Sequence, residues 1–166
     1  MRLLITALLL SSPAAAQMAD CTPSNANLPH DLAAWAAPAQ PLSAGTATDT
    51  APDLPVETHL ALTLHPPAHV SLARPPEQLR TPEAPHAGLL RLHIQQAGIW
   101  RVSAARPVWV DLLLDGKPMA TSNFGEMAPC TSIRKVLEFP LQPGDYLLQL
   151  SGNPGPDLEL MVSLKP

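Results

Sequence analysis

The chain has 166 residues and carries 10 Lys and Arg against 14 Asp and Glu, a formal net charge of −4. That length supports one ordinary domain with a sizeable core. The acidic balance, with no basic cluster, argues against nucleic acid, which is held through Lys and Arg contacts to phosphate, and against anionic membrane surfaces.

Met1-Arg2, the apolar run Leu3 to Leu10 and the small residues through Ala14-Ala15-Ala16 have the three parts of a secretory signal peptide, expected over 1–16. The run falls well short of the roughly 20 apolar residues that span a bilayer. A mature chain from Gln17, without a membrane anchor and periplasmic or secreted, is the expectation. Asp20 precedes Cys21, where lipidation requires a small residue. In an oxidising compartment Cys21 and Cys130 are expected to form a disulfide, worth about 4 to 5 kcal/mol in the chain-entropy model for so long a loop. The alternative is a nucleophilic Cys130, which needs a neighbouring base.

Residues 17–55 are rich in Pro, Ala, Ser and Thr and read as a loosely ordered segment. Within it, Leu28, Leu32 and Trp35 fall on one side of a short helical turn opened by Pro29 or Asp31, and Gln40 to Pro55 reads as a surface connector. From Val56 to the end, alternation takes over. Leu60, Leu62 and Leu64 alternate with polar residues, Val70 and Leu72 suggest a short strand, and Glu77 to Ala87 reads as a loop. Leu90, Leu92 and Ile94 lead through Ala97-Gly98 to Trp100 and Val102. Leu137, Phe139 and Leu141 lead through Pro143-Gly144-Asp145 to Tyr146, Leu148 and Leu150.

Both units read as β-hairpins with one buried face, and in both an aromatic follows the turn glycine by two residues. On this reading Phe139 is core and Glu138 faces water. Between the two units, Val108, Val110, Leu112 and Leu114 form a strand ending at Asp115-Gly116, a type I′ turn signal. Thr121 to Ser132 reads as a polar loop, and Leu158 to Leu164 as a closing strand. The whole is expected to be all-β, an antiparallel β-sandwich or jelly roll over 56–166 with a short N-terminal helical turn.

Residues 88–164 resemble the bacterial pre-peptidase carboxy-terminal domain, a small secreted jelly-roll module. The matching motifs are Val110-Asp111-Leu112-Leu113-Leu114-Asp115-Gly116 and Pro143-Gly144-Asp145-Tyr146-Leu147-Leu148. The resemblance implies a fold and an accessory module rather than a chemistry. Cys130-Thr131-Ser132-Ile133-Arg134-Lys135 is also similar to a group of short exported Gram-negative proteins that carry the name homogentisate dioxygenase. That name implies iron held by two His and one Glu on a cupin barrel, whereas no His-x-His spacing occurs here.

No nucleophile elbow and no glycine-rich phosphate loop is present, so no catalytic residue and no nucleotide cofactor is assigned. Glu57, His59 and His65 have even separations, but His59 and His65 would lie roughly 20 Å apart on one strand. A metal ion, as the one candidate cofactor, would have to use His65 with His69 or with His93 from another strand. Trp109 lies on the face opposite Val108 and Val110. It is either a sugar or partner platform or is buried beneath the Trp35 segment. Arg134 and Lys135, the basic pair beside Cys130, are candidates for an anion. The expected function is an exported, non-catalytic sandwich that binds a protein, small-molecule or carbohydrate ligand in the cell envelope; the alternative is a metal carrier or metal-dependent enzyme.

Overall fold

The computed structural model describes residues 24–76, 86–124 and 130–166. The expected signal peptide, Cys21, most of the loop over 77–87 and the middle of the loop over 121–132 lie outside these residues.

Among the described residues ten strands form two sheets, and the protein is an all-β sandwich. The larger sheet contains β1 (Gln40–Ser43), β2 (Leu60–Thr63), β10 (Asp157–Leu164), β4 (Gly98–Ala104), β8 (Lys135–Leu141) and β7 (Asn123–Phe124), in that spatial order. The smaller contains β3 (His86–Ile94), β9 (Gly144–Asn153), β5 (Trp109–Leu114) and β6 (Lys117–Pro118). All pairs are antiparallel except β1 with β2. The alternating residues of the sequence meet between the sheets. Leu60, Leu62, Trp100, Val102, Phe139 and Leu160 of one sheet pack against Leu90, Leu92, Leu112, Tyr146 and Leu148 of the other.

The phase of every long strand is as expected, but the two hairpins are not hairpins. β3 and β4 lie in different sheets, as do β8 and β9. Each unit is an arch that carries the chain across the core, and the two arches pair with each other, β3 with β9 and β4 with β8. The aromatic after each turn glycine explains the repeat. Trp100 Nε1 donates to the Gln96 carbonyl at 3.1 Å, and Tyr146 Oη donates to the Gln142 carbonyl at 2.9 Å. In both arches a ring fills the core while its polar tip ties the backbone four residues upstream, which satisfies a group that burial would otherwise leave unpaired. The Asp115-Gly116 turn is a true hairpin. Leu114 pairs with Lys117, and both turn residues have positive φ, 50° and 74°.

Two local expectations need correction. The connector over 40–55 is built into the sandwich: β1 adds to β2, and Ala44, Ala51 and Leu54 are buried. Pro41 is tolerated there because an edge strand leaves one side without a ladder. At Gly45 an added Cβ would lie 2.6 Å from the Ala51 backbone, so the chain packs tightly rather than loosely. The strand expected at Leu60, Leu62 and Leu64 is β2, which follows a turn in which Glu57 has φ 53°, but Val70 and Leu72 form no strand.

The helical turn docks as expected, on the outer face of the larger sheet. It spans His30–Ala36 as a 3-10 helix. Leu32 and Trp35 pack with Ile133, Val136 and Met161 in a second apolar cluster. Trp35 Nε1 donates to Ser132 Oγ at 2.8 Å, and its ring stacks on His59 at 4.5 Å.

That cover overturns the expectation for Glu138. Under it, Glu138 is only 3% exposed. Its carboxylate accepts from Arg101 Nε at 2.9 Å and from Lys165 Nζ at 3.2 Å, while Arg101 also pairs with Asp31 of the helical turn. Both faces of this sheet are therefore buried at Glu138, and one holds a charged cluster.

Candidate functional site

The sandwich opens where β5 and β6 of one sheet stand opposite β7 and β8 of the other. β5 is covered by β6 only at Leu113 and Leu114, and β8 pairs with β7 only at Leu137 and Glu138. Between these short edge strands lies a cleft of about 720 Å³, within the range of small-molecule pockets, about 300 to 1,000 Å³. Its floor is made by the core residues Val108, Val110, Leu137 and Phe139, and its rim by Pro107, Pro118, Thr121 and Phe124. Phe124 is the large apolar side chain that the described residues leave exposed, at 74%.

Trp109 and Lys135 meet at this cleft. The Trp109 indole N–H donates to Asp111 Oδ1 at 3.1 Å, and the other Asp111 oxygen accepts from Gln149 Nε2 at 3.2 Å. Lys135 Nζ lies 5.8 Å from the centre of the Trp109 ring and donates to the Val108 carbonyl at 2.6 Å. The cation is held over an aromatic face at the distance where the ring quadrupole attracts it. The site thus combines an apolar floor, one aromatic wall and an ammonium group.

Trp109 is therefore neither a flat exposed platform nor covered by the Trp35 segment, which packs on the other sheet. It is half-buried as a wall of the cleft. Arg134, the residue before β8, does not share the site. It lines a separate groove of about 520 Å³ beside Arg106, Asp157 and Glu159.

The histidines do not converge. His65 lies beside the start of β3, bridging to Ala87, and its Nε2 is 2.7 Å from the Ala44 carbonyl oxygen. His93, at the far end of β3, pairs with Asp145 at 2.6 Å. Six residues of extended strand separate Ala87 from His93, roughly 20 Å. His69 ends a three-residue 3-10 turn, and His59 is buried against Trp35 with Nδ1 2.9 Å from the Ala37 carbonyl oxygen. Among the described residues no group of three His, Cys, Asp or Glu is placed to hold a metal ion.

No family model, curated protein or solved structure matches the chain. The cleft is accordingly read from its own chemistry. Its lining, as described, consists of apolar walls with a few fixed polar groups, the usual makeup of a binding pocket. Sequence reasoning found Trp109 through its odd face and Lys135 through its charge. It missed Met119 and Phe124, which sit in a stretch without alternation, and Asp111, whose role is to hold the indole.

Proposed function

We propose that this protein is an exported, non-catalytic β-sandwich that binds a ligand of the cell envelope in the cleft beside Trp109. The observation that carries this reading is the opening between the sheets, where Lys135 stands over Trp109 above a floor of core side chains. The signal-peptide pattern over 1–16 supports export. The resemblance of residues 88–164 to the pre-peptidase carboxy-terminal domain speaks for a sandwich fold rather than for a chemistry.

The test has two arms. In isotope-labelled protein titrated with aliphatic, aromatic and sugar fragments, the indole N–H resonance of Trp109 should move while those of Trp35 and Trp100 stay in place. Titration with Fe, Cu and Zn should give no tight stoichiometric site. A silent Trp109 together with one tight metal would overturn the reading in favour of a metal carrier.

The Cys21–Cys130 disulfide belongs to the same proposal. Cys21 lies outside the described residues, but the Cys130 carbonyl accepts the Ser24 amide at 2.5 Å, and Asn25 Nδ2 donates to Ser132 Oγ at 3.0 Å. These contacts bring the chain three residues past Cys21 against Cys130. Thiol counting in denaturant without reductant should find almost no free thiol, and reduction should lower the melting temperature as the unfolded chain regains freedom. Two thiols per chain would refute the bridge.

A further inference from the structure

We infer that the groove on the outer face of the larger sheet binds a free α-amino acid, its carboxylate at Arg106 and Arg134 and its ammonium at Asp157 and Glu159. The site is independent of the cleft beside Trp109. Strand register lays the groove out. Ala105, just past β4, donates its N–H to the Glu159 carbonyl of β10 at 3.0 Å, and Arg134, just before β8, donates its own to the Ala104 carbonyl at 2.8 Å. Arg134, Ala105 and Glu159 thus stand in one row across three neighbouring strands, and Ala61 of β2 pairs with Glu159 on its other side. Small side chains flank Glu159 there, beside a recess of about 520 Å³. Because β10 runs opposite to β4, Asp157 and Arg106 lie toward the same end of the sheet, one on each bank.

The two banks carry opposite charge and do not cancel each other. All four charged residues are exposed, and among the described residues neither arginine is ion-paired. Glu159 Oε2 lies 3.4 Å from His59 Nε2, in a residue 8% exposed. His59 Nδ1 faces the Ala37 carbonyl and carries the proton there, so Nε2 of the neutral ring is an acceptor without a hydrogen-bond partner and leaves Glu159 its charge. A simple anion drawn to the arginines is repelled by the carboxylates, and a simple cation meets the reverse. A zwitterion gains from both banks. Two strand spacings, about 10 Å, separate Arg134 from Glu159, and a charge-assisted hydrogen bond of about 3 Å at each end leaves about 4 Å for the ligand's own charges. That is the span of an α-amino acid; a dipeptide, longer by about 3.5 Å, overshoots it.

Amide resonances of isotope-labelled protein, followed at low salt as L-alanine, lactate or alaninamide is added, test this. Lactate lacks the ammonium and alaninamide the carboxylate. L-Alanine should give saturable shifts at Ala105, Arg134 and Glu159, bind about tenfold tighter than either analogue, and leave the Trp109 indole in place. Arg106→Gln with Arg134→Gln should bring alanine down to the affinity of alaninamide, and Asp157→Asn with Glu159→Gln to that of lactate, with melting curves confirming that both double variants fold. Equal binding of the three compounds, shifts that survive both double variants, or no shift at all would overturn the site. Tighter binding of alanylalanine than of alanine would overturn the α-amino acid as its ligand. Each of these failures leaves the cleft reading untouched, because that reading is decided at Trp109.

Discussion

Phe139→Ala should destabilise the protein by about 3 to 5 kcal/mol, a large share of a domain's usual total of roughly 5 to 15. Phe139 is 1% exposed, lies opposite Trp100 on β4, and packs in the core between the sheets. Truncation removes the transfer free energy of the ring and leaves a void that β-sheet backbone cannot close. Because the same ring helps form the floor of the cleft, the void opens into it. Urea melts check the size of the loss, and an unchanged slope against denaturant would show that it belongs to the native state. A loss below about 1 kcal/mol would mean that the strand is out of phase.

Glu138→Ala should cost nearly as much, about 3 kcal/mol, and for a different reason. Removing one partner of a buried ion pair leaves the other charges under-compensated, here Arg101 beneath the helical turn, which keeps only Asp31 of its two carboxylates, and Lys165 beside it. The cover is a single layer of side chains, which places the loss at the low end of the range for buried pairs. Burial pushes the Glu138 carboxyl up, but the hydrogen bonds from Lys165 and Arg101, with their charges, outweigh it and hold the group below its ordinary value of 4.5.

The sign of the pH effect follows. A carboxyl with a depressed native pKa contributes stability that is fully present above the unfolded value and is lost as pH falls through the native one. Urea melts of the wild type and Glu138→Gln should therefore differ by a constant amount above about pH 5 and converge as pH drops below about 4.5. A gap that widened on acidification would refute the depressed pKa. Arg101 is held above its ordinary value: burial lowers it, but the hydrogen bonds it donates to Glu138 and Asp31, with their charges, outweigh that, so it stays charged throughout this range.

Glu138 also shows where sequence reading stops. Alternation reports that Phe139 and Glu138 point to opposite faces, and they do. It cannot report that Leu32 and Trp35, a hundred residues away in the chain, lie over the second face. Period-two patterning likewise identifies a strand's apolar side but not its neighbour, which is why the two arches read as hairpins. β1 was hidden because Gln40-Pro41-Leu42-Ser43 has neither alternation nor branched residues; its place comes from hydrogen bonds to β2, among them Ala44 N–H to the Thr63 carbonyl. The Asp115-Gly116 hairpin was visible because its turn geometry demands those residue types.

β10 lies in the middle of the larger sheet, between β2 and β4, although it follows the other described strands in sequence. Thr63 therefore waits for Asp157, and Trp100 for Leu164. During synthesis from the amino terminus this sheet stays in two separate pieces, each with an open edge, until β10 has been made. Such high contact order makes for slow assembly, on the millisecond-to-second scale, and leaves edges that invite association meanwhile. A chain clipped before Asp157 would lose the centre of its larger sheet, so cleavage ahead of β10 would act on the whole fold.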